Sequence, residues 1–455
     1  MAGLARPLLF VEESLAMTAA ALLDGRRQNG PYQTSATAER KGDAMDSVAI
    51  RLQARCCIVG GGPAGMMLGL LFSRAGIDTI VLEKHADFLR DFRGDTIHPS
   101  TLEAMNDLGF YEEFLALPHE KAYVLTGKIG DVTLPLADFS HLPTRAKFIA
   151  FMPQWHFLDF LARKAAAYRG FRLMMRADVV SLIDEDGAIK GVVAQTPEGR
   201  LEVRADLTIA ADGRHSTARQ AAGLVPDEIG APMDVLWFAL SRKEDDPHET
   251  FGRVEAGQFL ILINRGDHWQ CGYVIAKGSL SSLQSEDVTT LQKTLADLAP
   301  FTADRVAEIE SWDDVKLLTV AVNRLPVWHK QGFLCIGDAA HAMSPVGGVG
   351  INIAVQDAIA TANLLAAPLL QAGALPETAL AKVQEHRQRA VKLTQAGQVF
   401  IQNRFISKVL DSKAKVAPPW FMRLFIYFPL LQRLPGRLIG LGVLPERVRS
   451  PIAPN

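Results

Sequence analysis

Three times along the chain a short apolar run breaks off in a glycine-bearing turn. The run Arg55-Cys56-Cys57-Ile58-Val59, apolar after its arginine and β-branched at its end, stops in Gly60-Gly61-Gly62-Pro63-Ala64-Gly65, after which apolar positions recur at helical spacing to about Ala75. Gly76 closes that helix, residues 78–82 predict a second strand, and Glu83 follows it. Residues 207–211 form the next apolar run, leading into Asp212-Gly213-Arg214-His215-Ser216. Residues 333–336 form the third, which ends in Gly337-Asp338-Ala339-Ala340-His341 and continues to Ser344-Pro345-Val346-Gly347-Gly348-Val349-Gly350-Ile351-Asn352. From Ile351, apolar residues at 354, 355, 358, 359, 362 and 365 predict a long helix.

Residues 122–135, 179–193, 235–240, 251–264 and 269–276 alternate instead, which predicts strands of a second, mostly antiparallel layer. The expected fold is α/β. A Rossmann-like dinucleotide-binding domain comprises residues 45–120, 151–230 and 326–400; substrate-layer strands lie at 121–150, an inserted antiparallel substrate domain at 231–325, and a helical tail at 401–455. Glu12 and Glu13 interrupt the apolar stretch 4–23 where a signal peptide needs its hydrophobic centre, and residues 24–44 are polar with no sustained period, so residues 1–44 are expected to be a disordered extension rather than a secretion signal.

Composition narrows the classes. Lys and Arg number 48 against 50 Asp and Glu, which gives no reason to expect a nucleic-acid partner. Cys56, Cys57, Cys271 and Cys335 form neither a Cys-x-x-Cys pair nor a zinc spacing, so a reduced, cytoplasmic protein without metal is expected. No run approaches the roughly 18 uninterrupted apolar residues of a spanning helix.

The first turn carries the most specific chemistry. Gly60 permits the tight turn, Gly62 lets the backbone approach a pyrophosphate, and Gly65 lets the helix pack on the strand. The helix N-terminus, entered through Pro63 and Ala64, then offers free N–H groups and a positive dipole end to the phosphates. Glu83 falls where a carboxylate accepts hydrogen bonds from a ribose; it suits a free 2′-hydroxyl and would repel a 2′-phosphate, so FAD or NAD is expected rather than NADP.

The three turns together, in this order and spacing, resemble the class A flavoprotein aromatic monooxygenases, of the para-hydroxybenzoate hydroxylase type. The resemblance covers about residues 47–395. It implies non-covalent FAD, with the first turn on the ADP half, Gly337 and Asp338 on the ribityl chain and pyrophosphate, and Asp212 and Gly213 supporting both FAD and a passing NADH or NADPH. Pro345, Gly347, Gly348, Gly350, Ile351 and Asn352 would meet the isoalloxazine ring. Arg93 resembles the family's arginine loop reaching the flavin, and Gln154 a position placed against the cofactor. The implied reaction uses NAD(P)H and O2 to hydroxylate an aromatic or other electron-rich substrate through a flavin hydroperoxide. No side chain is nominated as catalytic acid or base: His341 is read as packing and loop support, and His98 is left open.

Trp237, Phe238, Trp269 and Tyr273 are the candidate aromatic lining of the substrate pocket, with ordinary sheet core as the alternative for each. The Trp-x-Trp-x-Ile-Pro signature of flavin halogenases is missing, whereas a reductase or epoxidase of a lipophilic substrate, or a flavin-bound redox sensor, shares the same FAD motifs. In the tail, Lys413, Lys415, Arg423, Arg433, Arg437, Arg447 and Arg449 accompany an aromatic cluster between Pro419 and Pro429. This segment either caps the flavin domain or lies on anionic lipid as a peripheral contact. Pro429 and Pro435 keep its helices short, which favours the cap.

Overall fold

In the computed structural model, which describes residues 50–89 and 96–453, the first elements are β1 (Ile50–Val59), α1 (Pro63–Arg74), β2 (Thr79–Glu83), α2 (Pro99–Asp107), β3 (Val124–Ile129), β4 (Val132–Asp138) and α3 (Gln154–Ala166). Then come β5 (Phe171–Met175), β6 (Asp178–Glu185), β7 (Ala188–Thr196), β8 (Gly199–Ala210), β9 (Met233–Ser241), β10 (Phe251–Glu255), β11 (Gln258–Asn264) and β12 (His268–Ala276). The last are α4 (Val288–Leu298), β13 (Lys316–Leu318), β14 (Phe333–Cys335), α5 (Gly350–Gln371), α6 (Glu377–Ile401), α7 (Trp420–Tyr427) and α8 (Arg433–Gly440). The N-terminal extension and Arg93 lie outside the described residues.

The larger sheet has the parallel order β14-β8-β1-β2-β5. Residues 56–59 of β1 are buried on both faces, which is why they read as a continuous apolar run rather than an alternating one. Residues 179–193, whose alternation groups them with the covering layer although they fall within the 151–230 part of the dinucleotide-binding domain, form the β6–β7 hairpin of this larger sheet, where Val192 pairs with Val203 of β8. Alternation alone could not assign them, because both sheets use half-buried antiparallel strands. Helix α5 belongs to a stretch, Val346–Gln371, long and apolar enough to cross a membrane, yet 72% of its most apolar window is buried inside the protein. It is the core helix of the first domain.

The second sheet runs β13-β9-β12-β11-β10-β3-β4, antiparallel except for the β10–β3 pair. Its faces separate by residue parity. Leu236, Phe238, Trp269, Cys271 and Tyr273 point to one side, where Leu291, Leu295 and Leu298 of α4 cover them. Val235, Trp237, Ile261 and Ile263 point to the other, against Ile149, Phe151, Leu441 and Val346.

The tail does form two short helices, α7 and α8. A Cβ on Gly436 would lie 1.9 Å from the Asp138 carbonyl oxygen, so α8 sits directly on the end of β4. Gly436→Ala should therefore lower stability by about 1–3 kcal/mol through overpacking, read as a fall in thermal midpoint, whereas Gly109→Ala, whose Cβ meets nothing within 4 Å, should show only the smaller strain of its positive φ.

Candidate functional site

The register of the parallel strands brings the three glycine turns together. Val59 lies opposite both Leu82 and Ala210, and Ala210 lies opposite Cys335, so the loops after β1, β2, β8 and β14 all leave from one end of the sheet. The carboxyl ends of such strands are where open α/β sheets bind ligands. Gly60 adopts φ +102, and a Cβ there would lie 2.5 Å from the Ala211 carbonyl oxygen. A Cβ on Gly65 would lie 1.9 Å from the Gly60 carbonyl oxygen. Both glycines are required by the protein's own packing. Gly62 is different: its φ is −74, and a Cβ there meets nothing within 4 Å.

That open position is the N-cap of α1, which has no side-chain cap. Pro63 carries no N–H, and Ala64 is buried against Gly337, where an added Cβ would come within 3.2 Å of it. Glu83, buried at the end of β2, accepts hydrogen bonds from the Gly61 N–H at 2.8 Å and the His85 N–H at 3.1 Å. It sits at the edge of the turn, where the ribose carboxylate was expected.

Asp212 supports its loop from within. Its carboxylate accepts from the Ser216 hydroxyl at 2.5 Å and the Ala218 N–H at 3.1 Å, and burial raises its pKa against those bonds. Gly213 beside it takes φ +84, with open space over its Cα. The buried Arg219, which sequence reasoning passed over, donates to the Ala339 carbonyl at 3.0 Å and the Arg214 carbonyl at 2.9 Å and so ties the Asp212 loop to the Gly337 loop. Asp338 is half-buried in the 3-10 turn Gly337–Ala339.

The loop before α5 presents Pro345, Gly347, Gly348 and Gly350 half-exposed, and α5 has no side-chain cap either. Gly347 and Gly348 have φ +79 and +63, and nothing lies within 4 Å of a Cβ on Gly350. Ile351 is buried in the core. The Asn352 side chain, expected on the flavin ring, is a brace: Oδ1 accepts from the His98 N–H at 3.0 Å and the Thr101 hydroxyl at 2.6 Å, and Nδ2 donates to the Thr96 carbonyl at 3.3 Å. Its backbone is what remains for a ligand. His98 is fully buried, donates from Nδ1 to the Ile439 carbonyl at 2.8 Å, and is held neutral by burial, which lowers its pKa to about 4. Gln154 opens α3, half-exposed.

A buried carboxylate anchors this constellation. Asp357 of α5, fully buried, accepts from the Gly337 N–H at 3.0 Å, from His341 Nε2 at 2.6 Å and from Arg387 Nε of α6 at 3.0 Å. Burial alone would raise its pKa, but His341 and Arg387 outweigh it and hold the carboxyl below its ordinary range. His341 packs on Trp328 with centroids 5.0 Å apart, in keeping with loop support rather than proton transfer. The signal that could have found the pair was Gln356-Asp357 interrupting an otherwise apolar helix, and Arg387 in the next helix.

The candidate pocket aromatics divide. Phe238, Trp269 and Tyr273 lie in the core under α4, and the Trp269 indole N–H donates to Asp246 at 2.9 Å. They face away from the flavin domain. Trp237 is on the facing side, its ring lying over Gly272, whose added Cβ would come within 3.0 Å of it, and its Nε1 is buried with no hydrogen-bond partner among the described residues.

Two uncapped helix N-termini, open space over Gly62, Gly213 and Gly350, and a buried carboxylate beside the first turn fit a dinucleotide lying across the end of the sheet. Consistent with this geometry, residues 53–396 match the family described as FAD binding domain, and the chain belongs to it as a FAD-dependent aromatic monooxygenase of class A. It is 31% identical over 402 residues, 87% of its length and 94% of the relative's, to the 6-methylpretetramide 4-monooxygenase of Streptomyces rimosus. It is 28% identical over 315 residues to the 12-dehydrotetracycline 5-monooxygenase/anhydrotetracycline 6-monooxygenase of Streptomyces rimosus subsp. rimosus, matching 66% of this chain and 60% of that protein. Among solved structures, the anhydrotetracycline hydroxylase OxyS of Streptomyces rimosus matches 89% of this chain and 78% of its own, with TM-score 0.66 and 23% identity. PqsL of P. aeruginosa in complex with 2-aminobenzoylacetate matches 79% and 97%, with TM-score 0.66 and 20% identity.

Gly62→Val should fold with an unchanged thermal midpoint yet purify without flavin absorbance, because its side chain enters ligand space; Gly65→Val should lose at least about 1–3 kcal/mol of stability. If Gly62→Val held FAD normally, the pyrophosphate would lie elsewhere. Asp357→Asn leaves Arg387 with only the longer 3.3 Å pair to Glu446 and should cost about 3–5 kcal/mol in urea unfolding, while the Asp357→Asn, Arg387→Met double variant should recover part of the loss.

Proposed function

We propose that this monooxygenase uses NADH or NADPH and O2 to hydroxylate an aromatic or otherwise electron-rich substrate held between the second sheet and the flavin loops. The observation that carries the reading is the convergence of the glycine turns at the carboxyl ends of β1, β8 and β14, beneath the Trp237 face of the second sheet. The aromatic character of the substrate follows the relatives, whose names include 6-methylpretetramide and 2,4-dichlorophenol.

Gly60, Gly62, Pro63, Ala64, Gly65 and Glu83 would hold the ADP half of FAD, and Gly337 with Asp338 its ribityl chain. Asp212 and Gly213 would shape the rim where the nicotinamide passes, and residues 345–352 would face the ring. Bound FAD supplies hydride acceptance and oxygen activation. The chain contributes the rest. The free N–H groups at the start of α5 favour negative charge beside the ring. The second sheet excludes water from the reaction space. The unpartnered Trp237 indole N–H would donate to a polar group of the substrate and orient it. Four buried free thiols, with Cys57 pushed up to about 12 by burial, suit the reducing cytoplasm.

The test is reductant oxidation by the holoenzyme with phenols, quinolones and polycyclic aromatics, under isotopically labelled O2. A substrate that accelerates oxidation and gains one labelled oxygen is the expected result. Acceleration by none of them, or a product without labelled oxygen, would overturn the reading. Trp237→Phe should raise KM roughly tenfold, the scale of one lost hydrogen bond, with little change in kcat.

A further inference from the structure

We propose that the outer face of the C-terminal segment is a docking surface for an anionic lipid bilayer. Helix α7 has no buried residue. Trp420 is 77% exposed, Tyr427 75%, Leu430 67% and Leu434 65%, with Phe421 and Phe428 more than half exposed beside them. Contiguous exposed apolar groups of this size mark interaction sites rather than ordinary surface.

Charge identifies the occupant. From residue 412 to 445 the sequence has no Asp or Glu, and it carries Lys413, Lys415, Arg423, Arg433 and Arg437. Lys415 pairs with Asp131 at 2.6 Å. The other four are exposed and make no ion pair among the described residues. A second copy of the chain would set the same cations against each other, which disfavours self-association through this face. Anionic headgroups satisfy the cations while the acyl boundary accepts the aromatic and aliphatic side chains, and Trp and Tyr are the residues that suit that boundary.

The segment is also prepared for the role. Short helices are marginal alone, but α8 is seated on β4 through Gly436 and on Phe139 and Leu142 through Gly440, and Gln432 donates to the Phe425 carbonyl at 2.7 Å across the turn between the two helices. The apolar face is therefore held outward before any lipid is met. Through the bond from His98 to the Ile439 carbonyl, the same segment adjoins the loops of the candidate site, so docking places that site next to the bilayer.

The full-length holoprotein should float with phosphatidylcholine vesicles containing phosphatidylglycerol, much less with phosphatidylcholine alone, and be released by high salt. Arg423→Gln with Arg433→Gln should weaken binding roughly tenfold or more. Trp420→Ser with Tyr427→Ser should abolish it, with flavin absorbance and thermal midpoint unchanged because both side chains are exposed. Brominated lipid should quench the tryptophan fluorescence of the parent protein but much less that of Trp420→Phe. Failure of the parent protein to bind these vesicles would overturn the proposal. So would binding that survives both double variants, or a dimer that Trp420→Ser dissociates in the absence of vesicle binding.

Discussion

The carboxylate of Asp357 lies with no exposure to solvent, and the arrangement of the flavin loops rests on it. One oxygen accepts from the Gly337 N–H and His341, the other from Arg387, so a single group fixes a turn, a loop histidine and the packing of α5 on α6. Arg387 extends the network by donating to the Leu444 carbonyl and to Glu446, both at 3.3 Å, which draws the end of the chain onto the same helix pair. Removing one partner would strand a charge in the interior, where its desolvation is not offset. The start of α5, which has no side-chain cap, is held in place by this buried pair.

Around that anchor the protein keeps its own groups busy and leaves selected backbone free. Asp212 and Asn352 have polar side chains that could face a ligand, yet each is engaged in bracing its loop. What faces the open end of the sheet is mainly glycine backbone and helix termini. Such groups are preorganised: they need no rotamer ordering when a charged cofactor arrives.

The second sheet does two jobs through the period-two geometry of its strands. Its even positions on β9 build a separate core under α4, with the Asp246–Arg305 pair at 2.8 Å closing one end. Its odd positions face the flavin domain, and there Gly272 leaves room for the Trp237 ring to lie flat. Neighbouring aromatics at 237 and 238 therefore belong to different environments, which strand alternation requires of any adjacent pair.

What was legible in the chain was local. The glycine turns, the strand before each, the helix after the first and third, and Glu83 follow from residues close in sequence, because turn conformation and helix period are set by neighbours a few positions apart. The FAD family could be named from those motifs alone. The tertiary structure decided what depends on distant partners: that 179–193 joins the large sheet, that Trp269 and Tyr273 face α4 while Trp237 faces the flavin loops, and that Asp357 finds Arg387. It also decided that the tail both caps β4 and exposes its aromatics, since Gly436 and Gly440 turn one face inward. Each of these is a choice of face or partner, and for the strands a one-residue change of register would exchange the two faces without altering the composition or the period of the segment.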